Sequence, residues 1–438
     1  MVTKPPSISY FTLVAIASQS FVIACVAHGG NAAARRLGDL RGVWQAEFNH
    51  DGSRVLVRLR GGEIALWDLA AGTPVTGDLA TPATGFVMNR EGSLVVVGYA
   101  DGARVFDPTT AKAVSPKLKA KLRESLPVPA VFSPDGGTLV IFEAEQASIW
   151  NARSGERRAA TPFPDGPYEG APPAAIFTEK GAQCFVMDPD GTVTLYETKN
   201  WKPAGKPMRH PRLETAYEFG CAASDDGKWI ATFDSAGENG PKGQLQVWDA
   251  IASKALGAPL ANTNGFTARF LVETDRVMIA PARGEASVRE LPSMKVVHTI
   301  RPHDEIDGPK MELSPDGKWI LAWGSDGIIA VHDSTTGKVK CVFAEKATIR
   351  NVLMAPDSSA CFVVYDNSTF SIQGHQDNYV LRLQLPDLKV AASYRSLAFV
   401  RGTALSPDGR RLLLLEGGDG QERLLIFDAA NLKPRKAP

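Results

Sequence analysis

Short runs of apolar residues, mostly β-branched or aromatic, punctuate this chain: Arg54-Val-Leu-Val57, Leu94-Val-Val-Val97, Trp319-Ile-Leu-Ala-Trp323 and Arg411-Leu-Leu-Leu-Leu415. Successive positions are apolar, so a strand made from such a run has both faces covered. No segment sustains the 3.6-residue period of an amphipathic helix. Turn residues separate the runs, and 40 Gly and 30 Pro supply them. The pattern predicts an all-β chain of short strands.

Two landmarks give the strands a period. The first is a turn, intact in Ser133-Pro-Asp-Gly136, Ser314-Pro-Asp-Gly317 and Ser406-Pro-Asp-Gly409. It is weaker in Asn49-His-Asp-Gly52, Asn89-Arg-Glu-Gly92, Thr178-Glu-Lys-Gly181, Ser224-Asp-Asp-Gly227 and Ala355-Pro-Asp-Ser358, and has lost its glycine near Asp275. Pro presets φ, Asp bonds its own backbone and Gly supplies positive φ, so the turn is locally encoded. The second landmark is an aromatic-acid pair: Trp67-Asp68 and Trp248-Asp249, with degenerate forms Phe106-Asp107, Trp150-Asn151, Tyr196-Glu197, His332-Asp333 and Phe427-Asp428. From Asp51 to Asp408 the unit repeats nine times at about 45 residues, a spacing that defines a repeat architecture.

Each unit resembles a four-stranded blade of the WD40-repeat β-propeller family, in degenerate and bacterial form, with TolB-like propellers of bacterial envelopes as the near alternative. The resemblance covers residues from about 38 to 434. It implies a single closed β-propeller with eight or nine blades. The last unit stops after Phe427-Asp428 and a short tail, so Arg36-Leu-Gly-Asp-Leu40 is expected to supply its outer strand and remove the exposed edges. No Gly-His pair stands at the position where it opens many WD40 blades, and only His210 and His303 fall in those connections. The Asp-His-Ser/Thr-Trp network of that family is therefore expected to be mostly absent.

Ahead of the repeats, residues from Ile8 to Ala27 carry no charge, and Lys4 precedes them. Such a stretch reads as an export signal. Val22-Ile-Ala-Cys25 resembles a lipoprotein processing site with Cys25 as the lipid attachment point, whereas Ala32-Ala-Ala34 suits ordinary cleavage. An uncleaved anchor is the third option, since about 20 apolar residues span a bilayer. The expected domains are 1–34, a signal or anchor, and 35–438, the propeller. The expected address is the periplasm or cell envelope.

Charge narrows the partners. Lys plus Arg and Asp plus Glu number 48 each, so the basic surplus of a nucleic-acid binder is missing. The cysteines (Cys25, Cys184, Cys221, Cys341, Cys361) form no C-x-x-C pair, and three sit inside apolar runs as small buried hydrophobes. There is no G-x-S-x-G elbow, phosphate loop or H-E-x-x-H helix, and the seven histidines are scattered. No catalytic, cofactor or metal residues are assigned, and a monomer is expected.

Strand alternation puts the Ser-Pro-Asp-Gly turns and the turns after Trp-Asp on one face. The longer and more varied connections fall on the other, where binding residues concentrate on a rigid scaffold. Phe163, Tyr168, Arg209, His210, Arg212 and His375 are the aromatic and basic candidates for that loop face. The basic run Lys117-Leu-Lys-Ala-Lys-Leu-Arg123 reads as a solvated connection. The expected function is non-enzymatic recognition of a protein or peptide. The alternatives are an enzyme or small-ligand binder using the central channel, for which Arg269 and Arg350 on inner strands are the residues to locate, and a structural envelope component without a discrete ligand.

Overall fold

The computed structural model describes residues 40–434 apart from 41, 76, 123–128, 144, 164–172, 212–217, 236–242, 263–264, 272–273, 282–283, 302–309, 325, 367–377, 397 and 418–421. These residues form nine antiparallel sheets in chain order and no helix. Each sheet is one blade of a ring, with inner strands beginning at Val43, Gly85, Ala130, Ala174, Glu218, Phe266, Lys310, Thr348 and Val400. The blade count is nine. In blade 5, for example, Glu218–Ala223, Trp229–Ser235, Gly243–Asp249 and Lys254–Asn262 pair in that order from the channel outward.

The core is the set of seams between neighbouring blades. Leu321 and Val331 of blade 7 pack with Val352, Val363 and Leu383 of blade 8. Second strands are covered by a blade on either side, which explains their uninterrupted apolar sequences: every residue of Thr138–Phe142 is buried. Cys184, Cys221 and Cys361 are buried there, Cys341 is half-buried, and all four are free thiols. Burial pushes the Cys221 and Cys361 thiols up to about 12.

Both turn landmarks work as their chemistry requires. Ser133 Oγ donates to Asp135 at 2.5 Å and accepts the Thr138 N–H at 2.8 Å, while the Gly136 N–H closes on Ser133 O at 2.8 Å. The Ser133 hydroxyl and the Gly137 amide hold the Asp135 carboxyl below its ordinary range. In the second landmark the acid caps the turn that follows: Asp68 accepts the Ala70 and Ala71 amides, and Asp333 those of Thr335 and Thr336. Consecutive blades also dock turn on turn. The His50 N–H bonds Gly92 O at 2.9 Å, and Asp316 N–H bonds Ser358 Oγ at 3.0 Å.

The ring closes between blades 1 and 9. The outer strand of blade 9 is Lys433–Pro434, supplied by the chain's own end and paired with Phe427 and Asp428. Residues 36–39 lie outside the described residues, and Leu40 is in no strand but fully buried in the seam between blades 1 and 9. Side chains join the two blades. Leu40, Val43 and Val57 pack on Ala404, Leu413 and Leu424, and the Arg411 guanidinium donates to Gly52 O. Arg60 Nη2 meets Glu422 Oε1 at 2.5 Å across 362 residues of sequence, with Arg401 Nη1 at 3.6 Å.

The described part of the basic run, 117–122, departs from the sequence expectation. Blade 2 has three strands, and its outer edge is covered through isolated bridges, Phe106 to Ala113 and Ala103 to Leu118. Leu118 is fully buried and Ala120 nearly so, so the run is an irregular fourth layer whose lysines reach outward rather than a solvated connection.

Candidate functional site

The two faces of the ring differ in regularity. On one face the inner-to-second turns span 49–53, 133–137, 224–228 and 406–410 with a single hydrogen-bonding plan. On the other the connections range from 100–101 to 367–377 between second and third strands, and from 345–347 to 163–173 between blades. The variation falls where no repeat chemistry constrains the chain.

Among the described loop-face candidates, Phe163 and His210 are buried and Arg209 is exposed. Cys25, Tyr168, Arg212 and His375 lie outside the described residues. Arg209 is exposed, at the end of a short strand paired with Thr192. Phe163 is a correction: only 8% exposed, it stacks on Phe142 at 6.5 Å and belongs to the seam between blades 3 and 4. Its cluster mixes aliphatic and aromatic side chains, Val140, Ile149 and Val186 with Phe142, so burial holds it inside the blade edge.

His210 is the more informative correction. The outer edge of blade 4 is split into Lys202–Pro203 and Met208–Arg209, both paired with the same third strand. The next residue, His210, bonds Gly191 O through its amide at 3.3 Å and turns its ring into blade 5. There His210 Nδ1 lies 2.8 Å from Thr232 Oγ1, Trp248 Nε1 lies 3.0 Å from the same oxygen, and His210 Nε2 faces Asp234 Oδ2 at 3.5 Å. The His210 and Asp234 side chains are fully buried. One assignment of protons uses every donor: Trp248 N–H to Thr232, Thr232 O–H to Nδ1, and Nε2–H toward Asp234. The network expected to be mostly absent is thus present in blade 5.

Register explains why it occurs there. Trp248 faces Ile230, and Thr232 stands two residues further along the same strand. At the corresponding position the other blades place Val57, Val97, Ile141, Val186, Ile279, Ala322, Val363 and Leu414. A hydroxyl inside the apolar run Trp229-Ile-Ala-Thr-Phe-Asp234, downstream of His210, was the available sequence signal.

The acid of the network outlasts the histidine. Counting from the residue opposite the tryptophan position, blades 3, 4, 5 and 9 all carry a carboxylate four residues on: Glu143, Asp188, Asp234 and Glu416. Each ties down the connections around it with different partners. Glu416 accepts from Ser396 Oγ at 2.5 Å and Arg423 Nε at 2.5 Å, Ser396 arriving from the preceding blade as His210 does. Glu143 accepts the Lys121 amide at 3.2 Å. Asp188 accepts the amides of Asp190 and Thr192, and burial together with the neighbouring Asp190 pushes it up to about 7. The hydrogen bond from Asp188 holds Asp190 below its ordinary range.

The inner strands are mostly small or apolar, and residues such as Ala222 and Leu353 are buried in the seams between blades. Arg269 of blade 6 is half-buried and bonds Ala268 O at 3.2 Å, with Glu312 of blade 7 as the opposing charge. Burial lowers the arginine and raises the glutamate, and each partly offsets the shift of the other. Arg350 pairs with the buried Asp366 through Nε at 2.7 Å and lies 5.9 Å over the Phe399 ring. Among the described residues no three His, Cys, Asp or Glu side chains converge as a metal site.

The architecture defines a WD40-type nine-bladed β-propeller. A crystal structure of a eukaryotic initiation factor superposes with a TM-score of 0.66 at 14% identity, covering 87% of this chain and 95% of that one. The C-terminal WD40 domain of Sif2 superposes with a TM-score of 0.51 at 14% identity, covering 79% and 97%. No protein-family model matches the chain, and the comparison with curated proteins gives no match. Similarity at this identity establishes the fold.

Proposed function

We infer that the protein is a non-enzymatic recognition scaffold that binds a protein or peptide on its loop face. The observation that carries the reading is the asymmetry of the ring. One face is uniform and hydrogen-bonded turn to turn, while the other carries the irregular connections, anchored at their roots by buried carboxylates such as Asp234 and Glu416. A rigid base under variable loops suits recognition, because little ordering entropy is lost on binding. The propeller likeness supports a protein partner by analogy of fold. The reading includes export through residues 1–34 to the periplasm or envelope, with Cys25 as the lipid attachment site, and a monomeric ring.

The test is affinity purification of the tagged full-length protein from its native host beside a Tyr168→Ala, Arg209→Ala, Arg212→Ala variant. His210 is left intact because it supports blade 5. A stoichiometric partner recovered with wild type and lost with the variant supports the scaffold reading, and its absence from correctly processed protein rejects it. The intact mass of the same preparation decides between acylated Cys25, cleavage after Ala34 and a retained N-terminus.

A further inference from the structure

The outer strands of blades 6, 7 and 8 carry a feature that neither the fold nor the loop-face reading uses. Large apolar side chains are exposed at Val296 (41%), Val339 (54%) and Val390 (51%). Register places the three at one position of the blade, opposite Arg289, His332 and Leu383, where the aromatic of the aromatic-acid pair belongs. Each follows a lysine: Lys295, Lys338 and Lys389. All three lysines are exposed and make no ion pair among the described residues. At this position blades 2, 4, 5 and 9 keep the lysine but follow it with Ala113, Pro203, Ala255 and Pro434. None of the outer strands contains Asp or Glu, although the whole chain is neutral.

The geometry points to a second interaction surface on the rim of blades 6 to 8, taking an extended polypeptide segment that carries both acidic and aliphatic side chains. Lysine on an edge strand discourages strand addition, but that role needs no valine beside it. Strand addition is further hindered here by a bulge in each outer strand, at Val297, Lys340 and Ala391, opposite Val288/Arg289, Val331/His332 and Arg382/Leu383. Side chains therefore make the contact, with the segment running across blades rather than along one. The unpaired lysines choose acidic groups, and the valines require apolar ones between them. In a nine-membered ring the first and third pairs face directions two-ninths of a turn apart. A flat membrane cannot meet all three, whereas a flexible segment can wrap them.

The experiment uses the purified full-length protein and a short fluorescent peptide of alternating Glu and Leu. A peptide with Lys in place of Glu, and phosphatidylcholine vesicles with and without phosphatidylserine, run alongside. The acidic peptide binds and weakens as salt rises, since exposed charges are screened over about 10 Å at 0.1 M. Lys295→Glu, Lys338→Glu, Lys389→Glu lowers its affinity at least about tenfold, and Val296→Ser, Val339→Ser, Val390→Ser lowers it several-fold with unfolding unchanged. Lys112→Glu, Lys202→Glu, the same position on blades without the valine, leaves affinity unchanged. Lack of binding, equal loss in this last variant, or capture by anionic vesicles in place of the peptide overturns the proposal. Each of these outcomes is independent of whether the loop face holds its own partner.

Discussion

His210 and Thr232 approach to 2.8 Å although the histidine leaves blade 4 and the threonine belongs to blade 5. The pair joins two blades through a polar contact inside an otherwise apolar seam, so its removal should register in stability. Thr232→Val keeps the shape but leaves the Trp248 N–H and the His210 ring without their shared hydroxyl. The expected loss is about 1–3 kcal/mol in urea unfolding. The apolar residues at this position in the other blades make valine itself acceptable there, so a variant as stable as wild type would show that the network contributes nothing.

Glu422 should matter more. Its carboxylate is 1% exposed and faces Arg60, 7% exposed, and Arg401. Glu422→Ala strands buried guanidinium charge at the closing seam, a change that costs about 3–5 kcal/mol. Replacing both ends, Arg60→Met with Glu422→Leu, should restore most of the loss, because the cost lies in the unpaired charge. If the double variant is no better than the single, polar closure has a role that apolar packing cannot replace.

Stability should also depend on pH through Asp188. Its folded value, about 7, lies above the ordinary 3.8. A raised folded value means the unfolded chain ionises first as pH rises. The contribution is therefore fully present below about pH 4, is lost between about pH 4 and 7, and stays lost above. Asp188→Asn should match wild type near pH 4 and exceed it near pH 8, by on the order of 1 kcal/mol after solvent screening. Parallel pH–stability curves for the two proteins would reject this account of Asp188.

Gly92 tests the docking of turn on turn. Its φ is +64°, and a Cβ there would sit 2.5 Å from the His50 amide nitrogen in the neighbouring blade. Gly257 has a similar φ of +68° and open space around it. Gly257→Ala should cost about 1 kcal/mol for backbone strain alone, and Gly92→Ala should exceed it by about 1–2 kcal/mol. Equal losses in thermal unfolding would mean the turns do not bear on one another.

Much of this protein was readable because its determinants are local. Ser133, Asp135 and Gly136 build their turn from residues within a few positions, so the sequence carries the whole cause. The same holds for Asp68 and Asp333 with the amides that follow them. Period, strand content and the regular face all come from repeating such local units, and nine units became nine blades.

The seams were another matter, because contacts between blades join residues that no local rule links. Whether His210 points to solvent or into blade 5 depends on an outer strand split at Pro203 and resumed at Met208, and on a hydroxyl that strand register places opposite it. Arg60 and Glu422 meet only because the ring closes and brings the first and last blades together. The alignment of Lys295, Lys338 and Lys389 with their valines is written in the sequence, but it becomes a surface only when three blades stand side by side. Short-range hydrogen bonding let the sequence alone determine the blade. Packing between blades, where burial and register act over hundreds of residues, decided which side chains support the ring and which remain on its surface.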